Sequence, residues 1–169
     1  MKIIFFIGTL ATGGKERRLV ELLKYLKENT NYEILLVLRQ GKINYEAFYE
    51  IGINYKILTK SYIKKDPRLP FYFLSICRRY KPNLIHTWGS MPTFVAILSS
   101  LILHIPLINS QITSAPPKES ISLGQRMLNK INFAFSDKII SNSYAGIESF
   151  KPPRRKSIVI YNGIDLKRF

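Results

Sequence analysis

The sequence predicts an α/β fold: a Rossmann-like, doubly wound and mainly parallel sheet flanked by helices. Residues 3–7 are apolar without alternation, which is typical of a parallel strand that is covered on both faces. A turn with two glycines follows, and the next leucines recur at helical spacing: Leu19, Leu22, Leu23 and Leu26. Similar strand and helix patterns alternate along the chain with short connections, which favours right-handed strand–helix–strand units.

The remaining elements follow in order from the same two patterns. Short apolar runs predict strands at residues 32–38, 53–58, 83–88, 106–111, 138–141 and 157–161. The longer segments between them, with apolar residues three and four apart, predict helices at residues 45–51, 69–80, 93–103 and 123–135. In the last of these helices, the spacing places Leu128, Ile131 and Phe135 toward the core.

Length and composition indicate one globular domain, because 169 residues with 46% apolar content can bury a core of their own. The single cysteine, Cys77, cannot form an internal disulfide, and we expect it to be a buried small hydrophobe in a reducing compartment. The N-terminus enters the first strand without the apolar region of a signal peptide, so we expect a mature, cytoplasmic protein. Residues 94–107 are too short and too interrupted for a spanning helix, and we predict a buried crossover helix there.

Basic residues give the chain a formal net charge of +15, and they are unevenly distributed. Residues 56–81 hold eight basic residues and one acid, Asp66. Such a segment suits a polyanion or an anionic membrane surface. A solvated surface explains the same charge, because charge alone defines neither a fold nor a chemistry.

The candidate ligand site follows from the predicted sheet, since ligands of doubly wound folds bind beyond the carboxyl ends of the strands. Those ends carry hydroxyl and amide side chains with an imidazole and an indole: His86, Trp88, Ser90, Ser110, Gln111, Asn142 and Ser143. Such a set suits a polyhydroxylated ligand. It contains no carboxylate pair and no His/Cys cluster with ligand spacing, so we predict no metal site.

The turn after the first strand ends in Gly13 and Gly14, which leave backbone N–H groups uncovered at the start of the helix. Such a turn suits a phosphate or a sugar hydroxyl. It reads GTLATGG rather than G-x-G-x-x-G, and Arg39 and Gln40 follow the second strand where a dinucleotide enzyme has an acid for the ribose. Both observations argue against a dehydrogenase, although Arg39 is compatible with a 2′-phosphate.

Four separate runs carry a resemblance to a known family: GTLATGGKERR, PNLIHTW, DKIISNS and VIYNGID. In this order they resemble the N-terminal domain of glycosyltransferase family 4, whose members are retaining enzymes with two Rossmann-like domains and nucleotide-sugar donors. The resemblance implies that residues 1–161 form the acceptor-side domain and that residues 162–169 begin the interdomain linker. It also implies that the nucleotide pocket lies in a C-terminal domain absent from this chain, so we expect the chain alone to be inactive.

The resemblance also implies roles for single residues. Gly13, Gly14, Glu16 and Arg17 match the family's G-G-x-E-[RK] and would lie at the donor diphosphate. His86 matches the first histidine of a frequent H-x-H and would act in catalysis, whereas Trp88 stands at the second position. The other strand-end residues are expected to bind the acceptor: Trp88, Ser90, Ser110, Gln111, Asn142 and Ser143.

Each of these residues also has a purely structural interpretation. Gly13 and Gly14 would serve a tight turn that needs positive φ, Glu16 would offset the helix dipole, and Arg17 would be a solvated charge. His86 would be a packed histidine. Asn142 or Ser143 would cap the next helix, and the NGID run at residues 162–165 would be a simple Asn-Gly turn.

We therefore predict the acceptor-binding domain of a cytoplasmic, membrane-associated retaining glycosyltransferase that acts in cell-surface polysaccharide or glycolipid assembly. The expected partners are a nucleotide-sugar donor, a glycan or lipid-linked acceptor, an anionic membrane surface and the missing C-terminal domain. No cofactor, metal or nucleic acid is expected, and the departing diphosphate would help to deprotonate the acceptor. The alternative is a non-catalytic Rossmann-like module for a polyanion, favoured by aromatic residues among the cations: Tyr62, Phe71, Tyr72 and Phe73.

Overall fold

The computed structural model describes residues 1–58, 66–117 and 120–163, and within these ranges the chain forms one seven-stranded sheet. The strands are β1 (Lys2–Ile7), β2 (Glu33–Leu38), β3 (Asn54–Ile57), β4 (Leu84–Trp88), β5 (Leu107–Ile112), β6 (Lys138–Ser141) and β7 (Ser157–Val159). Their order is β3-β2-β1-β4-β5-β6-β7, and every neighbouring pair is parallel. The predicted Rossmann-like fold is confirmed.

Six α-helices connect these strands within the described residues. They are α1 (Gly14–Asn29), α2 (Ala47–Glu50), α3 (Leu69–Tyr80), α4 (Ser90–Leu103), α5 (Leu123–Phe135) and α6 (Tyr144–Phe150). The predicted bounds of α3, α5 and β6 are confirmed. α4 begins before the predicted Thr93, because Pro92 lies in its first turn, where a missing N–H breaks no helical hydrogen bond.

No bounds are predicted for α6, the helix after β6, and its shortness explains why. It has 7 residues, too few for an apolar repeat over two full turns, and it begins directly after β6. Its start is fixed by Ser143, whose hydroxyl accepts a hydrogen bond from the Gly146 N–H at 3.1 Å. The structural interpretation of Ser143 as a helix cap is therefore confirmed.

β1 is buried on both faces and divides the core into two halves, as its unbroken apolar run predicts. Ile4 and Phe6 pack with residues of α3 and α4, whereas Ile3, Phe5 and Ile7 pack with residues of α1 and α2. We call the second half the α1 face of the sheet. Successive side chains of a strand point to opposite faces, and in β1 both faces are apolar.

Cys77 lies in the core half beneath α3 and is fully buried, as predicted. Burial raises the pKa of its thiol to about 12. The thiol is therefore protonated at neutral pH and packs as a small hydrophobe.

The predicted inward face of α5 is wrong in one respect, because Phe135 is exposed. The buried residues of this helix are Asn129, Asn132 and Phe133. The two amides can face inward because each has a hydrogen-bond partner on β5: Asn129 Oδ1 accepts from Gln111 Nε2 at 3.0 Å, and Asn132 Nδ2 donates to Gln111 Oε1 at 2.7 Å. An apolar-periodicity argument cannot detect such a polar inward face.

The buried crossover helix predicted within residues 94–107 corresponds to α4, which connects β4 to β5 but is buried on one side only. Phe94, Leu101 and Ile102 of α4 are exposed, while Val95 and Ala96 are buried against the sheet. Among the described residues, no helix combines the length and apolar content required to cross a membrane.

Phe73 provides a test of this core. Its ring stacks on Phe6 with centroids 4.6 Å apart, and its side chain is fully buried. Phe73→Ala should therefore lower the free energy of unfolding by about 3 to 5 kcal/mol, as measured by urea denaturation. The matched control is Phe71→Ala on the outer side of the same helix, which should change it by about 0.5 kcal/mol or less. Equal losses in both variants would contradict the assigned packing.

Candidate functional site

The loops that follow β1 and β2 pair with each other beyond the carboxyl end of the sheet. Leu10 forms an isolated parallel bridge with Ile43. The Leu10 N–H donates to the Lys42 carbonyl at 2.9 Å, and the Asn44 N–H donates to the Leu10 carbonyl at 2.9 Å. The Leu10 side chain is fully buried. The loop after β1 is therefore held as a short extension of the sheet.

Tyr45 fixes the end of this loop. Its hydroxyl accepts from the Gly13 N–H at 3.2 Å and donates to the Gly13 carbonyl at 2.7 Å. Tyr45 is not among the residues predicted for the site. The sequence does not indicate this contact, because Tyr45 is one tyrosine in a segment predicted to be helical.

The glycine pair begins α1 without strained backbone. Gly13 is the N-cap residue with φ of 176°, an extended conformation that any residue adopts, and Gly14 has no positive φ. The structural interpretation of a turn that needs positive φ is therefore wrong. A Cβ on Gly14 would meet nothing within 4 Å, so the backbone here is open to a ligand. No side chain among the described residues caps this helix end, so its first N–H groups remain available as donors.

The charged residues of the first turn of α1 point in different directions. The Glu16 side chain folds back over Gly13, where its carboxylate would clash with an added Cβ. Lys15 Nζ lies 3.4 Å from Glu16 Oε1. Arg17 lies on the exposed side and pairs with Glu21 at 3.5 Å. The carboxylate of Glu16 is thus placed where the helix dipole favours it.

Arg18 is a site residue that the sequence prediction did not include. Its Nε donates to the Gly14 carbonyl at 3.2 Å, and its Nη1 donates to Asn162 Oδ1. Its guanidinium lies 5.8 Å from the centroid of the Trp88 ring. Burial lowers the pKa of Arg18, yet a guanidinium stays protonated at neutral pH. The sequence could have indicated this residue through helical spacing, because residues 14 and 18 are one turn apart on the same face of α1.

Residues 14–18 of α1, together with Thr113 and Asn162, line a recess at the N-terminus of this helix with a volume of about 380 Å³. Its walls carry three cations and one carboxylate: Lys15, Arg17, Arg18 and Glu16. An uncapped helix N-terminus beside an excess of positive charge is suited to an anion such as a phosphate. We call this cavity the cationic recess.

A larger and mainly apolar cleft of about 550 Å³ adjoins the cationic recess along the α1 face of the sheet. The two cavities share Arg18, Thr113 and Asn162 as lining residues. Four of the predicted site residues also line the cleft: His86, Trp88, Ser110 and Asn142. The indole N–H of Trp88 is buried and has no hydrogen-bond partner among the described residues.

His86 lies in the middle of β4, between the rings of Phe5 and Trp88, rather than at the carboxyl end of the strand. Its Nε2 lies 2.7 Å from the hydroxyl oxygen of Ser110. Burial lowers the pKa of His86 to about 3, so its imidazole is neutral at physiological pH. His86 lines the apolar cleft, whereas Gly14 lines the adjoining cationic recess.

The residues expected to bind the acceptor do not form one group. Side chains alternate along a strand, so Ser110 lies on the α1 face whereas the next residue, Gln111, lies on the opposite face against α5. Gln111 lines a separate recess of about 380 Å³ together with Ser90. Trp88, Ser110 and Asn142 therefore share the cleft, and Ser90 and Gln111 do not.

Ser90 and Gln111 belong to a buried amide network. The Ser90 hydroxyl accepts from Gln125 Nε2 at 3.2 Å, and its carbonyl accepts from Asn132 Nδ2 at 2.9 Å. Asn132 also donates to Gln111. These bonds attach α5 to β5 and to the start of α4, which gives both residues a structural role. Asn142 donates to the Thr113 carbonyl at 3.0 Å and thereby links two strand ends.

Among the described residues, no three His, Cys, Asp or Glu side chains lie close enough together to hold a metal ion. Asp165 and most of residues 162–169, predicted to begin a linker, lie outside the described residues.

Comparisons with known sequences give one family. A family model described as Glycosyltransferase Family 4 matches residues 12–168. A search of curated proteins finds no match.

Solved structures give the same fold. The complex of Anabaena HepE with UDP and glucose aligns with a TM-score of 0.76 at 20% identity, covering 99% of this chain and 46% of that one. The apo form of the lipopolysaccharide outer core galactosyltransferase WaaB aligns at 0.71 and 15% identity, covering 98% and 47%. The UDP-GlcNAc 2-epimerase of Methanocaldococcus jannaschii aligns at 0.65 and 12%, covering 96% and 46%. The chain thus spans about half the length of these proteins.

The pH dependence of stability tests the environment of His86. The folded chain keeps the imidazole neutral down to a pKa of about 3, whereas an unfolded chain binds the proton near its ordinary value of 6.5. The free energy of unfolding should therefore be at its full value above pH 6.5 and fall below it, by up to about 1.4 kcal/mol per pH unit. His86→Gln should remove this pH-dependent part of the free energy of unfolding, as measured by urea denaturation at several pH values between 7.5 and 4.5.

His104 supplies the control, because it is exposed at the C-terminal end of α4 with a left-handed backbone that asparagine tolerates. His104→Asn should keep the pH dependence of the unsubstituted chain. If the two variants follow the same curve, the burial assigned to His86 is wrong.

Proposed function

The chain belongs to glycosyltransferase family 4, and on this premise we propose that residues 1–161 are the acceptor-side domain of a retaining hexosyltransferase. Its donor is a nucleotide sugar, and its acceptor is a cell-surface polysaccharide or glycolipid. The observation that carries the proposal is the cationic recess, which joins an uncapped helix N-terminus to the cleft that holds most of the predicted strand-end residues. The complexes of HepE with UDP and UDP-glucose support the choice of donor.

The cationic recess receives the diphosphate of the donor. Backbone N–H groups of Gly14 and the residues after it point along the helix dipole, and Arg18 supplies a partly buried positive charge beside them. These groups favour the negative charge that develops on the diphosphate as the bond to the sugar breaks. Glu16 and Arg17 contribute charge to the recess: the Glu16 carboxylate lies against Gly13, and Arg17 lies at the outer rim.

The acceptor lies at the end of the cleft nearest the recess, against Trp88, Ser110 and Asn142. His86 is neutral and bonded to Ser110, so it orients that hydroxyl for the acceptor. His86 is in this sense a positioning residue.

Transfer with retention requires the new bond to form on the face from which the diphosphate departs. The bond between the anomeric carbon and the diphosphate oxygen breaks, the acceptor oxygen bonds to the same carbon, and a diphosphate oxygen takes the acceptor proton. Neither a metal nor a cofactor is part of this proposal. The nucleotide is held by a second domain, as the twofold greater length of the similar structures suggests.

A non-catalytic polyanion module is the less favoured function, because the family match covers residues 12–168. Of the aromatic residues that favoured the module, Tyr62 lies outside the described residues, and Phe73 is buried in the core. Phe71 and Tyr72 are exposed.

Because the proposal assigns the nucleotide to a second domain, it predicts weak donor binding by this chain. The 169 residues should fold cooperatively, yet titration calorimetry with uridine and guanosine diphosphate sugars should give no measurable heat at micromolar protein. The physical reason is that the recess offers contacts to the diphosphate and none to the base. Micromolar binding by this chain would overturn the assignment of the nucleotide pocket to another domain.

The diphosphate role of Arg18 is testable in a polypeptide that carries both domains. Arg18→Gln removes a charged donor worth about 1.5 to 3 kcal/mol, so kcat/KM for transfer should fall roughly 10-fold to 100-fold. The comparison variant is Lys24→Gln, an exposed cation on α1 away from the recess, which should leave kcat/KM unchanged. Wild-type kinetics in Arg18→Gln would remove the cationic recess from the donor site.

A further inference from the structure

The layer formed by α3, α4 and α5 exposes large apolar side chains. α4 lies between α3 and α5, and the three helices cover the same side of the sheet. Seven large apolar residues of this layer are exposed to solvent: Phe71, Phe94, Leu101, Ile102, Leu123, Met127 and Phe135. Leu123 and Met127, one helical turn apart on α5, are the most exposed of them at 82% and 66%. Clustered exposed apolar side chains mark contact surfaces for proteins or membranes.

The same layer carries positive charge and no negative charge. α3 contains Arg78 and Arg79, α5 contains Arg126 and Lys130, and none of the three helices contains an acid. Two described acids beside the layer, Asp66 and Asp137, are engaged in hydrogen bonds of their own. The carboxylate of Asp66 accepts two bonds from the Arg68 guanidinium at 3.0 Å, and that of Asp137 accepts the Leu107 N–H at 2.8 Å. We call the exposed apolar and basic residues of α3, α4 and α5 the outer face.

The helices on the α1 face of the sheet lack this combination. α1 and α2 together hold five basic residues and four acids, so their charges nearly cancel. Their exposed large residues are tyrosines, Tyr25 and Tyr49, which carry a polar hydroxyl. The fold therefore separates an acid-free apolar surface from a mixed and polar one.

A small recess extends the outer face at α5. It has a volume of about 250 Å³, and its lining contains three basic residues and no acid: Arg126, Lys130 and Lys151. The apolar rings of Phe133 and Phe150 form the rest of its wall with other residues of α5 and α6. Its size and charge suit a phosphate group held at the edge of an apolar surface.

We propose that the outer face docks on an anionic lipid bilayer, with Leu123 and Met127 entering the interfacial region and the basic residues meeting lipid phosphates. A bilayer with anionic headgroups matches both properties of the surface, because it offers negative charge directly above an apolar layer. A soluble polyanion such as a nucleic acid matches the basic residues and leaves the apolar side chains in water. Of the basic segment 56–81, Arg78 and Arg79 belong to the outer face, whereas Lys60, Lys64 and Lys65 lie outside the described residues.

Vesicle co-sedimentation with the purified chain tests the charge. The chain should bind vesicles of phosphatidylglycerol and phosphatidylcholine at least tenfold more tightly than vesicles of phosphatidylcholine alone, and high salt should weaken the binding. The triple variant Arg78→Gln, Arg79→Gln, Lys130→Gln should lose at least tenfold of this affinity. A control triple variant with the same charge change at exposed residues outside the outer face, Lys24→Gln, Lys27→Gln, Lys42→Gln, should lose less than threefold.

A second pair of variants tests the apolar contact. Leu123→Gln with Met127→Gln should weaken binding to anionic vesicles at least fivefold, and the part of the binding that resists high salt should disappear. The matched control is Tyr25→Gln with Tyr49→Gln, which should bind as the unsubstituted chain does. All substituted side chains are exposed, and thermal melts establish that each variant is folded.

Three results would overturn the proposal. Equal binding to neutral and anionic vesicles, or to neither, removes the anionic bilayer. Equal losses in the variant and control triples show that net charge acts without a defined face. Unchanged binding by the Leu123 and Met127 variant, together with tighter binding to single-stranded DNA than to vesicles, assigns the surface to a soluble polyanion. If the charge triple fails to fold, the apolar pair and its control decide the question alone.

Discussion

The parallel pairing of β1 with both β2 and β4 is the constraint on which the site depends. In this register Phe5 lies opposite Leu36 on one side and His86 on the other. Because the three strands run in one direction, the loops after all of them reach the same edge of the sheet. The Gly13 loop, the start of α4 at Gly89 and the segment after β7 are thereby neighbours, although they are far apart in the sequence. A buried β1 with an unbroken apolar run makes this arrangement stable.

Polar contacts then set the shape of the site within that frame. Buried polar groups need partners, so each hydrogen bond that satisfies one also fixes a neighbouring segment. Tyr45 holds both backbone groups of Gly13, and Arg18 joins α1 to Asn162 after β7. The amides of α5 serve a different purpose, because they attach that helix to Gln111 and to the start of α4. The amide residues at the ends of β5 and β6, Gln111 and Asn142, therefore make structural hydrogen bonds.

Positive charge is used in two separate places. The cationic recess contains three basic residues, Lys15, Arg17 and Arg18, and one acid, Glu16. All four lie at the N-terminal end of α1. On the outer face, the basic residues of α3 and α5 stand among apolar side chains without any acid in those helices. The first arrangement suits a small anion at a defined position, whereas the second suits an extended charged surface. A net charge of +15 does not distinguish these uses.

Local patterns in the sequence determined the order of the strands and of helices α1 to α5, the burial of Cys77, the two-sided core around β1 and the resemblance to glycosyltransferase family 4. These features depend on neighbouring residues and on periods of 2 and 3.6, which a sequence shows directly. The tertiary structure alone decided which polar residues meet. The Gly13 backbone and Tyr45 are 32 residues apart, and His86 and Ser110 are 24 apart. Strand pairing joins such residues, and strand alternation places Ser110 and Gln111 on opposite faces, because contact across a sheet follows register rather than proximity in the chain.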